Sequence, residues 1–183
     1  MKKVRPQEKR GFTMIEMLVV IFVVGLLSAM LANNWRKQEK QYQLQRAAQT
    51  IVQSIRKAQG FALNGSQMFW EPTNQMEVPK SYGIHFTKGN QTYFIYGDMI
   101  GNIGYQNPED IPETYTQIEA GIQIGSLGGG TDLDVTFSIP DGFVDFFPSG
   151  TSATITIKKT GTTCPSRNCK KIIIRNTGEI SIQ

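Results

Sequence analysis

Glu16 is the only charged residue between Gly11 and Ala32, in the run FTMIEMLVVIFVVGLLSAMLA. A carboxylate in hydrocarbon is costly and marks a functional position by default, because it needs a cation to pair with. Cys164 and Cys169, in CPSRNC, are the only cysteines, and His85 is the only histidine. The CxxxxC spacing is not a redox CxxC, and no second pair exists to complete a zinc site. Outside the cytoplasm these cysteines would form a disulfide stapling a small loop; otherwise they are two free thiols. Around them lie Lys158, Lys159, Arg167, Lys170, Lys171 and Arg175. That basic cluster could contact DNA phosphates with salt-sensitive affinity, make a solubilising edge, or dock on an acidic surface. Asp98 and Asn102 in DMIGN offer few of the six to eight oxygens that calcium takes, so a strand-ending turn is the preferred reading. Asp132, Asp134, Asp141 and Asp145 read as solvated positions beside Gly-rich turns, and His85 in GIHFT as an exposed strand position. No GxSxG nucleophile elbow is present and no histidine neighbours either cysteine, so the chain is not expected to be an enzyme. No metal and no cofactor are expected.

The elements that position these residues differ along the 183-residue chain. Residues 1–11 carry five basic groups and one acidic, net +4, which is the net charge of the whole protein. Beyond them the charge is segregated: net +4 over 12–65, −9 over 66–149 and +5 over 150–183. Such blocks bear on association rather than on fold. The apolar run is about 20 residues, the length that spans ~30 Å of hydrocarbon. Lys2, Lys3, Arg5, Lys9 and Arg10 precede it, so its N-terminal end is expected on the cytoplasmic side and the bulk of the chain outside. A cleaved secretory signal is the rival reading, with a weak site at Ser28–Ala29–Met30. Leu44, Ala48, Ile51, Ile55, Ala58 and Ala62 then repeat at alternating spacings of four and three, one apolar helical face. No proline interrupts 12–64, which predicts one continuous helix ended by Asn64–Gly65.

From residue 66 the pattern alternates, and Gly, Pro, Thr, Asn and aromatic residues dominate. Strands are predicted over Tyr82–Thr87, Thr92–Tyr96, Tyr115–Ile124, Leu133–Ile139, Phe143–Phe147, Ala153–Lys158, Lys171–Arg175 and Glu179–Ile182. Asn176–Thr177–Gly178 reads as a hairpin turn, and Gly128–Gly129–Gly130 as a flexible connection. The expected fold is α+β: a long N-terminal helix packed on a small antiparallel β-sheet domain. The expected divisions are a leader at 1–11, a transmembrane half-helix at 12–34, an amphipathic half-helix at 35–65 and an extracytoplasmic β-rich domain at 66–183.

The stretch Arg10–Gly11–Phe12–Thr13–Met14–Ile15–Glu16, after a short basic leader and before the apolar run, resembles the prepilin signal of type IV pilins and type II secretion pseudopilins. The resemblance implies that a prepilin peptidase cuts between Gly11 and Phe12 and that the new Phe12 amine is N-methylated. It implies that Glu16 faces the N-terminal amine of a neighbouring subunit, setting register in a helical filament built at an inner-membrane assembly platform. Gln45–Ala48, Arg56–Ala58, Tyr82–Ile84, Tyr93–Asp98, Phe147–Gly150 and Ile172–Ile180 are similar to GspH/FimT-like minor pseudopilins, which implies a minor subunit that initiates or caps a filament. Asn33 stands where many major pilins have proline. For Glu16 alone, a carboxylate drawn to the helix N-terminus and to the lipid headgroups is the competing account. Two other functions stay open: a DNA-binding minor pilin for DNA uptake, and a membrane-anchored binding domain that never polymerises.

Overall fold

The computed structural model describes residues 11–106, 110–128, 130–165 and 167–183, the side chains of 31–38 and 40 apart. The expected leader therefore lies outside the described residues except for Gly11. The apolar run and the amphipathic stripe fall on one helix, α1 (Met14–Asn64), and the chain divides into two units between Glu39 and Lys40.

Over residues 14–30 α1 is apolar on every face apart from Glu16 and Ser28. Phe12, Ile15, Leu18, Ile21 and Phe22 are between 65% and 76% exposed, with no protein covering them. A helix apolar all round needs lipid or other helices as its surroundings. Ser28 returns its hydroxyl to the Val24 carbonyl at 2.8 Å, so its polar group is satisfied within the helix. Among the described residues no helix is long and apolar enough to cross a membrane, the described side chains of the apolar run stopping at Met30.

The second unit holds the core. All six stripe residues, Leu44 to Ala62, are buried, and they share one apolar cluster with strands from two sheets. The helix stops as expected: Gly65 adopts φ +56°. Ser66 N–H donates to the Phe61 carbonyl at 3.1 Å and Gly65 N–H to the Ala62 carbonyl at 3.2 Å. This pair of bonds satisfies carbonyls that the helix end would otherwise orphan.

Among the described residues eleven strands follow, in three antiparallel sheets. A short hairpin pairs β1 (Met68–Trp70) with β2 (Gln75–Glu77). The five-stranded sheet contains β3 (Ser81–Thr87), β4 (Thr92–Asp98), β5 (Asp110–Gln117), β7 (Asp132–Ser138) and β8 (Val144–Phe147), in the order β5-β4-β3-β7-β8. The four-stranded sheet contains β6 (Ile122–Leu127), β9 (Ser152–Lys159), β10 (Cys169–Arg175) and β11 (Ile180–Ile182), in the order β11-β10-β9-β6. Inward residues alternate along each strand: Tyr82, Ile84 and Phe86 on β3, Leu133, Val135 and Phe137 on β7, Ile155 and Ile157 on β9, and Ile172 and Ile174 on β10 are all buried.

One expectation needs correction. Tyr115–Ile124 is not one strand. It breaks at a turn where Gly121 takes φ +82° and Ile122 N–H donates to the Glu119 carbonyl, so β5 and β6 enter different sheets. The hairpin β1–β2 was not foreseen, since two three-residue strands carry no measurable alternation. At the Gly128–Gly130 connection, Gly130 N–H donates to the Leu127 carbonyl at 3.1 Å, with Gly129 outside the described residues.

Candidate functional site

Two residues precede the first turn of α1, and both are exposed: Phe12 and Thr13. Thr13 caps the helix. Its carbonyl accepts from the N–H groups of Glu16 at 3.1 Å and Met17 at 3.3 Å, and its hydroxyl also accepts from Glu16 N–H at 3.4 Å. Thr13-x-x-Glu16 is thus the sequence of a capping box, with an acidic residue where the helix dipole favours one. Glu16 is exposed, and Gly11 and Phe12 precede the helix and are exposed.

At the other end of the chain, Cys164 and Cys169 are bonded, S–S 1.98 Å, closing the turn between β9 and β10. The loop is tied to the helix: the Gln41 side-chain amide donates to the Arg167 carbonyl at 2.7 Å. Thr160 N–H donates to the Gly121 carbonyl at 2.9 Å, which holds the hairpin tip against the β5–β6 turn. The six basic residues do not form one cluster. Lys158 lies opposite Cys169, and Lys170 and Lys171 are opposite Ile157 and Thr156, so these cations and Lys159 and Arg167 gather at the hairpin tip. Arg175 lies at the far end of β10, opposite Ser152, and its guanidinium pairs with Glu179 at 3.1 Å.

The acidic residues behave differently from the sequence expectation. Asp134 is not solvated; it is 2% exposed. His85 is not an exposed strand residue either. β3 pairs with β7 so that His85 lies opposite Asp134, and Nδ1 meets the Asp134 carboxylate at 2.8 Å. Nε2 lies 3.1 Å from the Thr87 hydroxyl and 3.7 Å from the Asp132 carboxylate. The ring packs against Phe94 and Tyr105, which brings the segment between β4 and β5 over this face of the sheet. Tyr105 also contacts the rings of Phe94 and Tyr96. This hydroxyl–imidazole–carboxylate row joins β3 to β7 as a polar clamp on this face of the sheet. Sequence reasoning missed it because its partners come from strands 49 residues apart.

Asp98 is buried and serves the turn that the sequence suggested. Its carboxylate accepts from the N–H groups of Ile100 at 2.9 Å and Gly101 at 2.6 Å, and from the Ser81 hydroxyl at 3.1 Å. Those oxygens are occupied by donors, which is the arrangement of a turn and not of a calcium cradle. Asp110, also buried, accepts from Gln106 N–H at 2.6 Å. Tyr96 is also fully buried, and its hydroxyl has no hydrogen-bond partner among the described residues. Burial first, and then the charges of Asp134, Asp110 and Asp98, push its pKa far above the ordinary tyrosine value. Burial also raises Tyr93, whose hydroxyl meets the Ser54 hydroxyl at 2.9 Å, and pushes Tyr82 up to about 12.

Three comparisons bear on these sites. Residues 7–32 match the family described as the prokaryotic N-terminal methylation motif, a span that takes in Gly11, Phe12 and Glu16. The type IV major pilin protein PilA of Myxococcus xanthus is 24% identical over 164 residues, covering 87% of this chain and 70% of that one. The minor pseudopilin EpsH from the type 2 secretion system of Vibrio cholerae aligns in structure with a TM-score of 0.47 and 13% identity, over 77% of this chain and 96% of that one.

Proposed function

We propose that this chain is a subunit of a type IV pilus or type II secretion pseudopilus, of the type IV pilin and pseudopilin family, and that it is made ready for assembly at its N-terminus. Subunits of this family are structural; they are processed by a prepilin peptidase and assemble with one another. The motif also marks an N-terminal prepilin-type anchor in the inner membrane. In the proposal, the peptidase cuts between Gly11 and Phe12 and the freed Phe12 amine is methylated. Residues 12–34 span the membrane with the cut end on the cytoplasmic side, and residues 66–183 stand outside.

The match over residues 7–32, bracketing the cut and the one charge behind it, carries this reading. Its physics follows from the capped helix. Cleavage would leave an ammonium next to Thr13, at the positive end of a helix dipole, where a cation is disfavoured. Glu16, in the first turn, is the one carboxylate near it in sequence. Opposite charges about 4 Å apart attract strongly in a low-dielectric medium, and a pair offsets part of each partner's desolvation. A lone subunit leaves Glu16 incompletely paired in lipid. A subunit docked so that Glu16 meets the amine of its neighbour relieves that cost, which favours addition to a filament at one axial register. The assembly platform of the inner membrane would present the subunit for that step.

The test is the intact mass and N-terminal peptide map of the protein extracted from the membranes of its host. A chain that starts at Phe12 and carries one added methyl group supports the reading. A chain that starts at Met1 leaves Glu16 without an amine to meet and removes the filament mechanism. A start beyond Ala29 makes it a secreted protein.

A further inference from the structure

The tip of the β9–β10 hairpin concentrates charge that the fold does not use. Arg46 pairs with Glu119, Arg175 with Glu179, and His85 with Asp134. Among the described residues no carboxylate lies within ion-pair distance of Lys158, Lys159, Arg167, Lys170 or Lys171. Strand parity spreads these cations over both faces of the tip. Lys158 and Lys171 alternate with the buried Ile157 and Ile172 and face away from the core, whereas Lys170 sits opposite Ile157 on the core side. The disulfide and the Thr160–Gly121 bond hold the tip in one shape.

Its place along the chain is as informative as its charge. The Arg167 carbonyl is held by Gln41, and Gln41 follows the apolar run closely. The ten residues from Ala32 to Gln41 make about nine Cα steps and reach at most about 32 Å even when fully extended. They include Arg36, Lys37 and Lys40 against the single acid Glu39. A basic tip so tethered meets a bilayer surface as an intramolecular partner, at high effective concentration, so weak contacts suffice. A free polyanion gains nothing from that tether.

We infer that the β9–β10 tip is a binding face for anionic phospholipid headgroups, through which the globular unit rests on the membrane before the subunit enters a filament. The inference rests on the anchoring part of the function proposed above and not on cleavage or filament growth. Each Lys or Arg near an anionic surface contributes modestly, and the attraction fades within a Debye length. The contact is therefore strong enough to orient the unit and weak enough to be released when the subunit is drawn into a filament.

The test is amide hydrogen exchange of the full chain reconstituted in nanodiscs of phosphatidylcholine alone or with phosphatidylglycerol. The expected result is roughly tenfold slower exchange over 158–171 in the anionic discs. Salt near 1 M, where the screening length is ~3 Å, should abolish the difference. So should the combined substitution Lys158→Gln, Lys159→Gln, Lys170→Gln and Lys171→Gln, while exchange in the core strands β3 and β7 stays unchanged, which reports that the variant is folded. Equal exchange in the two lipids overturns the inference. Protection that appears with added duplex DNA and not with anionic lipid overturns it in favour of nucleic acid. Failure of the filament reading shows separately, as an uncut chain in the host, and leaves the nanodisc result standing.

Discussion

Gly83 and Gly60 predict opposite outcomes for the same substitution. Gly83 is on β3 opposite Tyr96 of β4, and the Tyr96 ring lies flat over it. A Cβ built on Gly83 would sit 2.6 Å from Tyr96 Cε1 and 2.5 Å from its hydroxyl oxygen. The ring cannot swing clear, because Phe94 and Tyr105 pack against it and it is fully buried. Overpacking of this kind costs about 1–3 kcal/mol. The reduced freedom of the unfolded chain returns about 0.4–1 kcal/mol, so Gly83→Ala should destabilise by roughly 1–2 kcal/mol. Gly60, on α1, has nothing within 4 Å of its would-be Cβ. There Ala is the better helix former, and Gly60→Ala should stabilise by up to about 1 kcal/mol. Urea unfolding of the full chain in mild detergent, followed by intrinsic fluorescence, reads both. At a slope of about 1.5 kcal/mol per M, the Gly83 variant melts roughly 1 M earlier and the Gly60 variant somewhat later. A Gly83→Ala protein as stable as the parent would mean that Tyr96 does not pack over β3, and the account of this sheet face would fail with it.

Three further outcomes follow from the same geometry. His85→Ala leaves the buried Asp134 carboxylate without its imidazole and should cost about 2–3 kcal/mol; a loss under 0.5 kcal/mol in the same denaturation would mean that the pair is not formed. Reduction of Cys164–Cys169 frees a loop of sequence separation 5 and should lower stability by about 2 kcal/mol, read as an earlier urea midpoint with dithiothreitol. Tyr82, Tyr93 and Tyr96 hold their protons more tightly folded than unfolded. For Tyr82 this contribution is complete below the unfolded value of 10.0 and is lost as pH rises through about 12, and the raised Tyr93 and Tyr96 act in the same direction. The near-ultraviolet tyrosinate band of these rings should develop only with loss of the folded circular dichroism, and a band that grows fully near pH 10 in folded protein would contradict their burial.

What the sequence disclosed was local. The 4-3-4-3-4 spacing from Leu44 to Ala62 can be read within one helix, and all six residues are buried. The stop at Gly65 and the turn at Gly178, φ +81°, each depend on one residue's conformational range. The N-terminal methylation motif over residues 7–32 is legible for the same reason, since it fits inside one short stretch. The failures were long-range. TYTQIEAGIQI alternates smoothly on either side of Gly121, and nothing within it tells that β5 and β6 join different sheets. Asp134 looked solvated because alternation gives the parity of a strand position, not what packs on the outer face; here that is His85 and the covering segment with Tyr105. The basic residues looked like one group because sequence proximity does not register the length of β10, which carries Arg175 to the opposite end.

The assignment of strands to sheets also fixes an order of events in time. The four-stranded sheet draws three of its strands, β9, β10 and β11, from residue 152 onward, while its fourth, β6, lies between strands of the other sheet. A chain delivered N-terminus first therefore presents β6, and the part of the α1 stripe that shares its core, before their neighbours exist. The five-stranded sheet can close by Phe147, but the other half of the core waits for the last strands to arrive. Non-local pairing of this kind is slow and leaves apolar surface open meanwhile. A subunit held at a membrane by its first residues would pass that interval spatially separated from other unfinished copies, so the anchor would act as a guard against aggregation during folding as well as an anchor afterwards.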